Sequence, residues 1–548
     1  MAASGGVLHA EKDADENMNR SRRVASRLVP PMPEKPLWGW LGAFVVALFG
    51  GILRFTALDR PWDVMFDETY YAKEGYSLLK YGVARKTLGN QDDPIADRRL
   101  VAGNTDIFVS CAPERTADCA DYVVHPPLGK WMIAAGEWLF GMNPFGWRFA
   151  AALAGTLSIL ILVRVTRRMT RSTLLGCLAG FLLALDGLHF VLSRSALLDI
   201  FLTFWVIAAF ACVIADRDWS RARLERLLAA DAAAGGSATG PALGVRPWLL
   251  LAGVCLGGAI AVKWSGGYFL IAFAAFVLLW DGGARRALGV RRPYRGALSQ
   301  GGFGLVVGFG LLPAVVYLLS WTGWFASDGG WGRNWERATS QGPVYFVFDS
   351  IRSLVAYHQE ALGFHTGLDS PHDYQSQPWS WPFLLRPVPF FYESAKTCGA
   401  ENCSQEVLGV GTPVIWYVGI IAMIGMVAWF AATRDWRAGT VLAAYAAGIV
   451  PWAYFAIADQ RTMFIFYALP SLPFMIIALA LAAGLLIGPV TMAPRRTIGA
   501  AVVGAFALLA LINFWWLRPV LTAESIPHED WYRRMLYTSW YEVPDGKG

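Results

Sequence analysis

PLWGWLGAFVVALFGGILRFTALDRPWDVMFDETYYAK, residues 36–73, begins as an apolar run and ends on two adjacent carboxylates, Asp67 and Glu68. Between Leu37 and Phe55 only Arg54 is charged. An α-helix needs about 20 apolar residues to cross a bilayer, so this run is long enough for one crossing. The two acids follow it closely and sit among aromatic residues. Acidic groups beside a membrane are costly and are more often functional than incidental.

The same apolar text recurs along the chain. Of 548 residues, 55% are hydrophobic and only 16% are charged, with a mean hydropathy of +0.40. A soluble domain carries about 25% charged residues. The fold class expected is therefore an all-α polytopic membrane protein. About eleven transmembrane helices are expected, near 37–55, 146–164, 173–191, 197–215, 247–263, 265–281, 300–321, 412–432, 438–456, 463–487 and 497–517.

Arginine fixes the expected orientation. Arg164, Arg167, Arg168 and Arg171 fall in one short connection, Arg217, Arg221, Arg223 and Arg226 in the next but one, and Arg285, Arg286, Arg291, Arg292 and Arg295 in the next but one again. Arg434 with Arg437 and Arg495 with Arg496 continue the alternation. Basic connections face the cytoplasm, which puts the N-terminus inside and the C-terminus outside. The net charge of +6 is thus topological, and no nucleic acid partner is implied.

Three regions follow. Residues 1–36 read as a disordered cytoplasmic tail, 37–517 as a transmembrane catalytic domain and 518–548 as an outer C-terminal tail. The domain carries two long outer loops, 56–145 and 322–411. In the first loop, HPPLGKWMIAAGEWLFGM from His125 reads as an interfacial helix, with Trp131 and Trp138 on one face. The Ala/Gly-rich stretch 227–243 reads as a flexible inner linker.

Cys177, Cys212 and Cys255 lie in expected spans as ordinary small core residues. The pairs Cys398–Cys403 and Cys111–Cys119 each share an outer loop, where disulfides persist, although four free thiols remain the alternative. No cysteine has zinc-site spacing with a nearby histidine, so no metal and no cofactor are expected.

Charged and titratable groups expected at the outer membrane ends are Asp67, Glu68, His125, Lys130, Arg148, Arg194, Asp199, Lys263 and Arg461. Cations here run against the orientation rule, so something anionic should hold them. Local pairing, for instance Arg194 with Asp199, is one explanation. A carboxylate base with cations nearby gives another: a hydroxyl nucleophile and a lipid phosphate as leaving group. Helix capping is the plain alternative for the acidic pair. If Asp67 is the base, burial among Phe66, Tyr70 and Tyr71 and repulsion from Glu68 should raise its pKa.

The runs FDETYYAK, HPPLGKW, RFAAALAGT, SRSALLD, VKWSGGY and SQPWSWPFLLRPV, in this order, resemble the protein O-mannosyltransferases of glycosyltransferase family 39, most closely the actinobacterial members. The resemblance runs from about Leu37 to the C-terminus. It implies a GT-C fold, a polyprenyl-phosphate mannose donor, and a Ser or Thr acceptor in an exported protein. It implies inversion at the anomeric carbon, on the outer face of the cell membrane, with the bilayer and the protein export machinery as further partners. Asp67 matches the family's catalytic aspartate and Glu68 its neighbour. His125 and Lys130 fall in its HPP-containing motif, and Arg148 matches an arginine tied to the lipid-phosphate site. Lys263 and Arg461, with Lys130 and Arg194 behind them, are the other phosphate candidates. Eukaryotic members insert a β-trefoil domain in the second long loop, and residues 322–411 are too few to hold it. Rival readings are another GT-C transferase acting on a glycolipid or cell-wall glycan, and a secondary transporter. Clustering of the unusual charges at one face argues against transport.

Overall fold

The computed structural model describes residues 30, 32, 34–90, 92–233, 237–335, 348–395, 397–489 and 493–542. Most of the expected N-terminal tail, 1–36, lies outside them. Helix α1, Pro36–Phe55, starts on Pro36, whose missing N–H costs nothing at a helix start. Gly39, Ala43, Ala47 and Gly50 are its buried stripe. A Cβ on Gly50 would fall 2.4 Å from Ile159 Cδ1, so the small residue lets two helices close on each other.

Among the described residues nine helices are long and apolar enough to cross a membrane. They include α1, a 27-residue helix Pro144–Thr170, and Leu198–Leu228. Two shorter apolar helices, Thr173–Ala184 and Pro247–Val262, account for the rest of the eleven expected segments. The segment expected at 173–191 is not one straight span. It breaks at Asp186, whose carboxylate accepts from His189 N at 2.9 Å and starts a short helix, Gly187–Leu192. Trp416 Nε1 and the Thr412 hydroxyl, through Gly187 N and Leu185 O, hold this break from another helix. The span expected at 300–321 begins earlier, at Pro293, and contains a π-helical turn, Val307–Leu311, just before Pro313. A proline that cannot donate its N–H accounts for that turn.

The stretch 227–243, expected as a linker, is helical at its start, because the helix from Leu198 runs on to Ala233. Alanine is the best helix former, and the run at 229, 230, 232 and 233 carries the helix on. Beyond this helix, Arg285 donates to Thr239 O and Pro241 O and fixes the connection.

The bundle has two unlike ends. At one, Arg171 pairs with Asp218, Arg217 lies over the Trp436 ring, and Arg246 bridges Asp216 and Asp281. At the other, the two long loops interlock: Tyr357 Oη donates to Val123 O at 2.6 Å and the His125 and His365 rings lie 5.2 Å apart. The first loop holds α2, Glu68–Tyr81, and α3, Leu128–Phe140. Pro144–Thr170 is α4, capped by the Asn143 side chain. Gly75 on α2 lets α3 approach, since a Cβ there would meet Ile133 and the Lys130 carbonyl at 3.1 and 3.2 Å. The two tryptophans expected on one face of α3 part company. Trp131 donates to Ser320 O, whereas Trp138 is exposed.

In the second loop, among the described residues, lie two helices, Thr322–Ala326 and Asp349–Thr366, a 3-10 turn and an antiparallel hairpin. Its strands are β1, Val388–Ala395, and β2, Cys403–Gly409, paired from Val388 opposite Gly409 to Ala395 opposite Cys403, with a register shift between Pro389 and Phe391. The C-terminal segment is not a free tail. Its last long helix runs to Leu521, and β3, Ile526–Pro527, then joins β2. Trp531 Nε1 donates to the buried Glu406 carboxylate at 2.6 Å, and Arg386 donates to the carbonyls of Ser539 and Glu542. The structure pairs Cys111 with Cys119 and Cys398 with Cys403, with Cα separations of 6.1 and 5.8 Å.

Candidate active site

The chain between α1 and α2 sets the site. Phe66 adopts a left-handed backbone, φ +45°, which costs a non-glycine residue roughly 1–2 kcal/mol. Its ring explains why the conformation holds: it stacks on Phe390 at 5.0 Å and meets Phe466 and Phe464 edge-on. Helix α2 then starts at once, and successive residues on a helix diverge by about 100°. Asp67 and Glu68 therefore face different places.

Glu68 turns inward and has no exposure. Its two oxygens accept from Arg148 Nε and Nη2, each at 2.8 Å, and from Met65 N and Ala196 N, each at 3.0 Å. The Arg148 fork is taken up as well, donating to the carbonyls of Leu58, Pro61 and Asp63. Arg194 works on the same connection, donating to Arg54 O, Thr56 O and Ala57 O. Two of the expected phosphate ligands thus hold loop backbone, and Arg194 is not the partner of Asp199. Lys130 is likewise engaged, with Glu74 at 2.9 Å and His125 O at 2.9 Å.

Asp67 makes no capping bond to α2, so the helix-capping alternative has no geometric support. It lines a polar groove with Tyr71, Glu74, Asp97 and His372 among its walls. Burial pushes Asp67 up to about 7, with Asp199 and Glu74 repelling in the same direction and Lys263 and Tyr71 opposing. Glu68, whose repulsion was also expected, is not among these causes; it is turned away and paired with Arg148.

A second, narrower pocket is apolar, walled by Leu202, Phe269, Trp452 and Phe455. The groove encloses about 920 Å³ and the pocket about 140 Å³. They share a wall of His125, Lys263 and Tyr467. Lys263 Nζ pairs with Asp199 at 2.8 Å and lies 5.4 Å from the Tyr467 ring centre. Arg461 also lines the pocket, held by the carbonyl of His365. His125 sits well below the usual imidazole range, through burial and then the nearby Lys263, and is neutral. His365, at about 4 for the same first reason with Arg461 second, is neutral too.

Of the nine candidates, Asp67, His125, Lys263, Asp199 and Arg461 gather around these two cavities. Glu68, Arg148 and Arg194 brace the loop that presents Asp67. His365, Glu74 and Tyr467 were not singled out in the sequence. His365 is one of only seven histidines and lies in an outer loop, which was a usable signal. Tyr467, inside an apolar run, offered none. Among the described residues no three His, Cys, Asp or Glu side chains gather as metal ligands would.

Comparison with known proteins adds a family. The family described as "Dolichyl-phosphate-mannose-protein mannosyltransferase" matches residues 119–322, and "C-terminal four TMM region of protein-O-mannosyltransferase" matches 350–540. A polyprenol-phosphate-mannose–protein mannosyltransferase of Mycolicibacterium smegmatis (strain MKD8) is 38% identical over 94% of this chain and 96% of its own. A protein of the same name from Corynebacterium glutamicum is 31% identical over 96% and 98%. In fold, the chain is similar to the Saccharomyces cerevisiae Pmt1–Pmt2 complex bound to its sugar donor, with a TM-score of 0.70 at 14% identity, over 95% of this chain and 94% of that one.

Proposed function

The chain belongs to the dolichyl-phosphate-mannose–protein mannosyltransferase family, multi-pass membrane enzymes of GT-C fold, and from that premise we propose how its two cavities divide the reaction. It is a polyprenol-phosphate-mannose–protein mannosyltransferase. The narrow apolar pocket takes the lipid-phosphate end of the donor, and the polar groove takes the acceptor polypeptide on the outer face of the cell membrane. A Ser or Thr hydroxyl of the exported acceptor attacks the anomeric carbon. The new C–O bond forms as the bond from that carbon to the phosphate oxygen breaks, and the hydroxyl proton passes to Asp67. Polyprenyl phosphate leaves with the electron pair. One displacement inverts the anomeric centre.

The observation that carries this reading is the common wall of His125, Lys263 and Tyr467 between groove and pocket. A base on the groove side and cations on the pocket side are what a hydroxyl nucleophile and an anionic leaving group need. A base with a pKa near 7 is ionised enough to accept a proton and basic enough to hold it. Lys263 and Arg461 are the cations best placed for the departing phosphate.

The test is transfer by the purified protein from radiolabelled polyprenyl-phosphate mannose to a Thr-rich peptide. Label released from the peptide by alkaline β-elimination is the result expected. Label appearing only in a glycolipid or glycan added in parallel would move the acceptor to the rival class.

A further inference from the structure

A third cavity lies at the arginine end of the bundle, away from the catalytic groove. Helix α4 connects the two: Arg148 sits near its start and Arg167 nineteen residues on, roughly 28 Å along the axis. The cavity encloses about 370 Å³ and is lined by Arg164, Arg167, Arg168 and Arg171, with Trp219 and Trp248 alongside.

Orientation in the membrane requires only that arginines be present at this end. It does not require them to be sequestered with idle donors. Arg167 is 5% exposed. Its guanidinium passes over Gly39, where a Cβ would fall 2.4 Å from the arginine Cζ, and its Nε donates to Thr173 Oγ1 at 2.7 Å. Its Nη2 is buried and has no partner among the described residues. The same holds for Nη1 of Arg164, whose guanidinium lies 3.8 Å from the Trp40 ring centre. Buried guanidinium donors without acceptors are unfavourable by a kcal/mol or more, so such a site favours an anion. Arg246, at the same end, shows the satisfied alternative, bridging two carboxylates.

The lining holds a single carboxylate, Asp218, and Arg168 and Arg171 already share it at 3.5 and 2.9 Å. Glu34 is not part of the lining and accepts from Thr173 N. Four guanidinium groups against one acid leave a strong positive excess. Arginine forks match phosphate oxygens in pairs. Trp219 and Trp248 are side chains suited to the headgroup level of a bilayer, and the cavity opens where apolar helices end.

We propose that this cavity binds the phosphate of an anionic phospholipid headgroup, at the membrane face opposite the active site. The nearby tryptophans favour a lipid over free phosphate as the source of that group. Basic pockets between transmembrane helices hold lipid headgroups in this way.

The test uses the full chain in nanodiscs of phosphatidylcholine with phosphatidylglycerol, and counts retained lipid by native mass spectrometry. Wild type should retain phosphatidylglycerol over phosphatidylcholine. Arg164→Gln/Arg167→Gln should lower that preference roughly 30-fold, the loss of two arginine–headgroup contacts. Arg168→Gln removes a half-exposed charge without touching the packing at Gly39, and should lower it several-fold in a normally folded protein. Inorganic phosphate bound by the lipid-free micellar protein, and lost in the same variants, would keep the site and assign its anion to the solvent. Equal retention of the two lipids by wild type, or an unchanged preference in well-folded variants, overturns the proposal.

Discussion

Glu68 accepts both Nε and Nη2 of Arg148 at 2.8 Å, and neither side chain meets solvent. With Met65 N and Ala196 N added, the carboxylate has no capacity left for a substrate. Glu68 thus acts through the loop it ties down. Breaking one side of a buried ion pair costs about 3–5 kcal/mol, because it strands the other charge. Glu68→Gln and Arg148→Ala should each lower the melting temperature in detergent. Glu68→Gln/Arg148→Met should lose less than Arg148→Ala. A Glu68→Gln protein of wild-type stability but greatly reduced turnover would return Glu68 to the chemistry.

Lys263 and Asp199 present the opposite question, since the pair lines the apolar pocket. Lys263→Met alone leaves Asp199 unpaired and should destabilise. Lys263→Met/Asp199→Asn removes both charges and should fold better, yet transfer poorly. Full transfer by a stable double variant would make the pair purely structural.

Arg461 should act on the donor alone. A charged hydrogen bond is worth about 1.5–3 kcal/mol, so Arg461→Ala should lower kcat/KM for the lipid donor roughly 10- to 100-fold. The KM for the acceptor peptide should stay within a factor of about two, as expected when the lost contact binds only the other substrate. A matching rise in acceptor KM would point instead to collapse of the His365 contact that Arg461 holds.

Much of this arrangement was legible in the sequence, for physical reasons that also mark where legibility ends. Apolar length and arginine alternation are local properties, and they located the helical segments and the two unlike ends. The break at Asp186 was hidden, because Trp416 and Thr412, which stabilise it, lie more than 220 residues away. Adjacent acids were readable as a pair. Their separate jobs followed from the 100° between neighbours on a helix, with Glu68 expected to pair with a cation; which cation was not readable, since it is Arg148, 80 residues on, and neither was the Phe390 ring that fixes Phe66. The cations were found as a group, but only contacts could separate those holding loop carbonyls from those facing a cavity.

The two disulfides give a direct test of the loops that carry them. Both pairs lie at the groove end, so an outer location would keep them oxidised. Thiol labelling of denatured, unreduced protein should reach Cys177, Cys212 and Cys255 and miss the other four. Labelling of all seven would place this end of the bundle in a reducing compartment and reverse the orientation.

Asp67 makes the strongest demand on pH. Its pKa, raised to about 7 chiefly by burial, leaves the carboxyl half-ionised near neutrality, and on the proposed role it is the base. Only the ionised form can accept the hydroxyl proton, so kcat/KM should rise with pH through about 7 and level off above it. Asp67→Asn should cut turnover by roughly 10²- to 10⁴-fold and abolish that limb, with donor binding preserved. Stability should move the other way. A folded-state pKa above the unfolded value of about 3.9 means that the folded protein binds more protons between roughly pH 4 and 7. Asp67 therefore makes stability fall as pH rises through that window, and the loss is complete above it. Asp67→Asn removes the loss, so the variant should melt at or above the wild-type temperature at pH 8 and show no advantage at pH 4. A nearly inactive variant that is also more stable at pH 8 is the signature of a carboxylate kept for its chemistry. An Asp67→Asn enzyme that transfers mannose at near-normal rates, or one that loses activity only because it melts, would remove Asp67 from the role of base.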